Sequence, residues 1–130
     1  MLNSVQVVRL AHKAYILVVE DESEIRHLIE TFLEMGGFRL ATANSHEIAE
    51  RILAATKPDL LVSSVVLKDG DGISLARLAE SLSVPVLLIT GHPDAAARLA
   101  DSEYPWMLKP LKLASLKAKI DELLAKRRKK

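Results

Sequence analysis

The 130-residue chain contains no cysteine, so neither a disulfide framework nor a thiolate zinc site is available to it. Aromatic residues make up only 4% of the chain, with Trp106 the single tryptophan. Interleaved basic and aromatic side chains, the pattern of a nucleic-acid surface, are absent from the body of the chain. No apolar run approaches the roughly 18 residues of a membrane span. Met1 to Lys13 has neither a compact apolar core nor a small-residue cleavage site, which predicts no signal peptide. The expectation is a cytoplasmic protein. Glycine and proline number five each, too few for a low-complexity linker.

Apolar and charged residues are plentiful, at 49% and 27%, the balance of a globular domain. The length suits one domain with a real core. Net charge is +1, but the last five residues carry +5 and leave −4 for residues 1–125. A basic end can attract nucleic acid or anionic membrane; here it is read as a solvated end of the last helix, with no membrane partner and no nucleic-acid role. The chain divides into an N-terminal arm (1–14), a domain (15–125) and a basic tail (126–130).

Within the domain, short apolar runs alternate with helical patterns. Tyr15-Ile16-Leu17-Val18-Val19 reads as a strand followed by the acidic cluster Glu20-Asp21-Glu22. Ser23 is the expected N-cap of a helix carrying Ile25, Leu28, Ile29, Phe32 and Leu33, stopped by Gly36-Gly37. Phe38 to Ala43 is a second strand. Asn44 to Glu47 has capping-box spacing and opens a helix with Ile48, Ile52 and Leu53 inward, ended by Pro58. Asp59 to Ser64 is a third strand, and Lys68 to Gly72 a turn-rich loop before a helix marked by Leu75, Leu78, Ala79 and Leu82. Val86 to Thr90 is the fourth strand. Pro93 to Asp101 holds only a short helix, Trp106 to Leu108 is the fifth strand, and Leu113, Leu116, Ile120, Leu123 and Leu124 stripe the last helix.

Five βα units in succession predict an α/β fold: a doubly wound, five-stranded parallel sheet in the order 2-1-3-4-5. Such sheets gather their functional groups at the carboxyl edge. There the strands deliver Glu20 and Asp21, then Ser64, Thr90 and Lys109.

These positions, with Pro58-Asp59-Leu60 through Asp71-Gly72 and Leu108-Lys109-Pro110, make residues 15 to about 125 resemble the CheY-like response-regulator receiver domains, a flavodoxin-like (βα)5 family. The resemblance implies two-component phosphorelay signalling, a histidine kinase or downstream effector as partner, and no enzyme in its own right. It implies that Glu20 and Asp21 match the family's Mg²⁺-holding acidic pair, Thr90 and Lys109 its phosphoryl contacts, and Trp106 its switch aromatic. The phosphoacceptor aspartate has no counterpart: the register fixed by Pro58-Asp59 and by Asp71-Gly72 places Ser64 there. Asp59 starts the strand about 16 Å away, at roughly 3.3 Å per residue.

A serine hydroxyl is a poor nucleophile without a base, and its loss of charge removes a hard metal ligand. The expectation is therefore a stand-alone pseudo-receiver not phosphorylated on aspartate, acting as a protein-interaction module, monomeric or weakly homodimeric. Its acidic pair would be a weak or vestigial Mg²⁺ site, with no other cofactor. Two alternatives stay open: a phosphorelay switch using Ser64 or Asp69 as acceptor, and a small anion- or nucleotide-binding domain using Lys109 and Thr90. Lys109 is also placed to pair with Asp21, and Trp106 to serve as a packing residue. The 19-residue interval from Thr90 to Lys109 is short for the family and implies a trimmed fourth helix. His12, His27, His46 and His92 share no ligand spacing.

Overall fold

In a computed structural model of the chain, residues 14–128 can be described. The N-terminal arm (apart from Ala14) and the last two residues of the basic tail lie outside them. Among the described residues there are seven strands and five helices, in the order β1 (Tyr15–Val19), α1 (Ser23–Met35), β2 (Arg39–Ala43), α2 (His46–Thr56), β3 (Leu60–Ser64), β4 (Val66–Leu67), β5 (Gly70–Asp71), α3 (Gly72–Ser81), β6 (Val86–Thr90), α4 (Pro93–Ala100), β7 (Trp106–Leu108) and α5 (Leu113–Arg128).

β1 is apolar throughout, and β3 and β6 are apolar up to Val62 and Ile89, because a parallel sheet covered on both faces buries successive positions. All residues of β3 and β6 are buried. The sheet is parallel throughout, in the order β2-β1-β3-β6-β7. Counted along the whole chain this is 2-1-3-6-7 rather than 2-1-3-4-5, because the segment expected to be a turn-rich loop forms the antiparallel β4–β5 hairpin, with Val66 opposite Asp71 and Leu67 opposite Gly70. Strand alternation divides the core in two. Leu17, Val19, Leu61 and Leu88 face Ala49, Leu53, Leu75, Ala79 and Leu99 of α2 to α4. Ile16, Val18, Val62 and Ile89 face Ile29 and Leu33 of α1 and Leu116, Ile120 and Leu124 of α5.

Local chemistry sets where helices begin and end. Gly37 takes φ 87°, and the amides of Gly37 and Phe38 turn back to the carbonyls of Glu34 and Leu33 at 2.9 and 3.2 Å, a left-handed cap suited to glycine. The N-cap of α1 is Glu22, not Ser23, which is already the first helical residue. Ser45, rather than Asn44, caps α2, its hydroxyl accepting the Ile48 amide at 3.2 Å. α2 ends at Lys57, left-handed at φ 46°, before Pro58. Ile48, expected inward, is exposed, and Ala49 is buried in its place; Leu28, one of the apolar residues at helical spacing on α1, is exposed as well. α4 has eight residues, the short helix expected. None of the helices among the described residues is long and apolar enough to cross a membrane.

Candidate functional site

Parallel strands bring Glu20, Ser64, Thr90 and Lys109 to one edge of the sheet. Glu20 follows β1, its amide bonded to the Ala43 carbonyl at 3.1 Å, and the residue is fully buried (0% exposed). A carboxylate taken from water must be met by donors, and three meet it. The Ser64 hydroxyl donates to Oε1 at 2.7 Å, the Lys109 ammonium reaches the same oxygen at 2.7 Å, and the Glu22 amide donates to Oε2 at 3.1 Å. Arg26 Nη1 donates to the Glu20 carbonyl at 2.8 Å and ties α1 down over the strand end. Burial works to raise the Glu20 carboxyl, but the bonds from Lys109, Ser64 and the Glu22 amide outweigh it and hold the group below its usual value.

Ser64 ends the central strand at 2% exposure. Behind it, Ser63 is also buried and its hydroxyl donates to the Ser64 carbonyl at 2.9 Å. Gly72, where α3 starts, lies so close that a Cβ there would collide with the Ser64 carbonyl oxygen; the Gly72 amide bonds to the Val65 carbonyl at 2.7 Å. The β3 end, the hairpin and α3 are thereby held in one tight turn.

The remaining expected residues divide. Lys109, 17% exposed, pairs with Glu20 and stands 3.8 Å from Glu22. The anticipated Lys109–Asp21 pair is replaced because Asp21 turns outward to accept the Lys68 amide at 2.9 Å. Thr90 is buried, with its hydroxyl accepting the His92 amide at 3.1 Å and its carbonyl accepting the Lys109 amide at 2.8 Å. Trp106 is half-buried and packs with Tyr104 on the α2–α4 core rather than into the pocket. Asp69 lies outside the pocket altogether: its two oxygens accept the His46 and Glu47 amides at 2.7 and 3.1 Å, capping α2. These two bonds hold its carboxyl below the usual range.

The sequence reading gave no structural role to Glu22, Arg26 or His46. Glu22 lay within the acidic cluster already noted, whereas Arg26 and His46 carry no motif and act through contacts set by tertiary packing. A cavity of about 480 Å³ lies at the opposite edge of the sheet, lined by Pro85, Val86, Tyr104, Pro105 and Leu123 among others, far from Thr90 and Lys109 along their strands.

A Mg²⁺ ion asks for about six hard oxygen ligands, several of them water. Here Glu20 offers a carboxylate whose two oxygens already receive three donors, and Asp21 one with an oxygen on the Lys68 amide. Among the described residues, no group of three acidic or histidine side chains could hold a metal ion. The residues present do not fit the ion. Every buried side-chain nitrogen and oxygen among the described residues has a hydrogen-bond partner, so the pocket is closed on itself.

A doubly wound sheet with an acidic residue after β1, hydroxyls ending β3 and β6 and a lysine after β7 is the layout of a receiver domain. The response regulator receiver domain family matches residues 16–121, and the chain belongs to that family, whose setting is two-component signalling. It is similar to a probable transcriptional regulator ycf27 of Cyanophora paradoxa, at 33% identity over 117 residues, covering 87% of this chain and 49% of that protein. The KDP operon transcriptional regulatory protein KdpE of Escherichia coli is 31% identical over 109 residues, covering 81% of this chain and 48% of that one. The chain therefore spans about half the length of these curated relatives. Among solved structures, a CheY-like receiver domain protein from Methanospirillum hungatei superposes with a TM-score of 0.82 at 21% identity, covering 89% of this chain and 97% of that one. One from Clostridium thermocellum gives 0.80 at 24%, covering 89% and 98%; both show the fold.

Proposed function

We propose that this chain is a receiver domain of the pseudo-receiver kind. It serves two-component signalling as a protein-interaction module and is not switched by phosphorylation of an aspartate. It makes contact with a histidine kinase or a downstream effector, catalyses no reaction of its own and requires no metal. Its place is the cytoplasm. The observation that carries this reading is Ser64: at the end of β3, where the family has its acceptor, a buried hydroxyl donates to Glu20, which also engages Lys109.

Phosphoryl transfer needs an accessible nucleophile with cations to balance the moving charge. The buried carboxylate of the pocket, Glu20, is instead held by its own lysine. The alternative acceptors are disfavoured on geometry. Asp69 is bonded to the start of α2, and Ser64 is nearly solvent-free with its proton directed at Glu20. Recognition of a free anion by Lys109 and Thr90 would require Lys109 to leave Glu20.

Incubation with acetyl phosphate and Mg²⁺, followed by intact-mass measurement, tests the reading. No labile phosphoryl adduct is expected. A hydroxylamine-sensitive adduct mapped to any aspartate defeats it, and an acid-stable one at Ser64 replaces it with the unconventional-acceptor switch.

A further inference from the structure

The cavity at the far edge of the sheet has no part in the acidic pocket. It lies where the chain enters β6 and β7, beside the C-terminal ends of α3 and α5. Val84, Pro85, Val86, Pro105 and Leu123 give it apolar walls. Its volume of about 480 Å³ falls within the roughly 300–1,000 Å³ of sites that enclose a ligand. The rim carries one carboxylate without a cation. The Lys126 ammonium stands 3.8 Å from Glu122 Oε1, whereas Glu80 makes no ion pair among the described residues. Its neighbour is the Tyr104 hydroxyl, which burial, and then the Glu80 charge, hold above the usual tyrosine range.

Where the chain enters the fold argues for what fills this space. Ala14 packs against the core on the side of α1 and α5, the side to which Leu123 belongs. Tyr15 opens β1 at the same edge of the sheet as Pro85 and Pro105, because the five strands run parallel. β6 stands two strand spacings from β1, about 10 Å, and β7 three, about 14 Å. Thirteen residues, outside the described ones, precede Ala14 in the sequence. At about 3.3–3.6 Å per residue, the four steps back from Ala14 to Leu10 span about 13–14 Å, so Val7, Val8 and Leu10 have the reach. Residues 1–13 include Arg9 and Lys13 and neither aspartate nor glutamate, a charge complementary to Glu80. On so short a tether an apolar segment meets the cavity at an effective concentration in the millimolar range.

We propose that the cavity is a docking site for residues 7–10 of the same chain, with Val7, Val8 and Leu10 set against Val86 and Leu123 and Arg9 opposite Glu80. Docked there, the start of the chain braces the entry ends of β6 and β7 against α5 and removes apolar walls from water. No residue of the Glu20–Lys109 pocket takes part, so this docking and the pseudo-receiver reading stand or fall separately.

Methyl-resolved NMR of the full chain tests the docking. Nuclear Overhauser cross-peaks are expected between methyl groups of Val7, Val8 or Leu10 and those of Val84, Val86 or Leu123. The double variant Val7→Asp, Val8→Asp should lose the cross-peaks and shift the three cavity residues' methyl signals. Its β1 and β3 amide signals should stay in place, because both substitutions precede the domain. Arg9→Glu, which sets like charges face to face, should weaken the cross-peaks, and Arg9→Glu with Glu80→Arg should restore them. Absence of the cross-peaks in the wild type, or cavity methyl signals unmoved by the double variant, overturns the proposal. Cross-peaks between differently labelled molecules in a mixed sample assign the cavity to a second copy and overturn it too. Cross-peaks indifferent to Arg9→Glu refute the pairing of Arg9 with Glu80.

Discussion

Lys109→Met is the sharpest test of how the pocket is held together. The substitution keeps an unbranched chain one atom shorter and removes the charge, leaving Glu20 fully buried with only the Ser64 hydroxyl and the Glu22 amide as donors. Removing one partner of a buried ion pair costs about 3–5 kcal/mol. Two surviving donors and the 17% exposure of Lys109 argue for the lower end, about 3 kcal/mol at pH 7.5.

The pH dependence carries a sign. In the wild type, the Glu20 carboxyl lies below its ordinary value, so its contribution is complete above about pH 4.5 and is lost as pH falls through the depressed value. Between pH 5 and 7.5 the wild-type term is therefore flat. In Lys109→Met the main lowering partner is gone and burial dominates, so the folded carboxyl moves upward and the penalty shrinks as pH drops toward 5. Glu20→Gln and the double variant complete a cycle, with an expected coupling of about 2 kcal/mol, because removing both charges together leaves neither one stranded. Urea unfolding at pH 7.5 and 5 reads all four proteins. A Lys109→Met cost under about 1 kcal/mol, an equal cost at both pH values, or additivity within about 0.5 kcal/mol refutes the reasoning.

Ser64→Asp places a second carboxylate beside Glu20, so the variant should lose stability in chelator and recover it in millimolar Mg²⁺; acetyl phosphate should then give a labile adduct. Mg²⁺ titration with thermal melting, and intact mass, check both expectations, and indifference to the ion contradicts the assignment of position 64. Gly72→Ala forces a methyl group into the Ser64 carbonyl and pushes α3 off the end of β3, at a cost of about 3 kcal/mol, at the upper end of overpacking. Urea unfolding measures it, and a near-neutral result would show that the turn has room.

Periodicity made β1, β6 and β7 legible because each is an apolar run bounded by turn or charged residues, and the bounds of all three match the structure. The β4–β5 hairpin escaped because two-residue strands display no alternation. Ile48 was placed inward by spacing alone, whereas the neighbouring alanine Ala49 takes the core position on α2. At the site, motif order located Glu20, Ser64, Thr90 and Lys109 but not which carboxylate Lys109 would choose. That choice depends on Asp21 being drawn off by the Lys68 amide, 47 residues away in sequence. The role of Asp69 was illegible for the same reason: the His46 and Glu47 amides that it caps are brought to it by tertiary packing.

The two borders of the sheet are poor templates for a foreign strand. β7 offers three residues before Lys109 and then Pro110, which has no amide hydrogen to donate. β2 begins with the exposed Arg39, whose guanidinium stands 5.5 Å from the centre of the Tyr15 ring. Short and charged margins of this kind discourage lengthening of a sheet by a second polypeptide. Among the described residues, the helices and the loops above the acidic pocket are therefore better suited than the sheet margins to contact with another polypeptide.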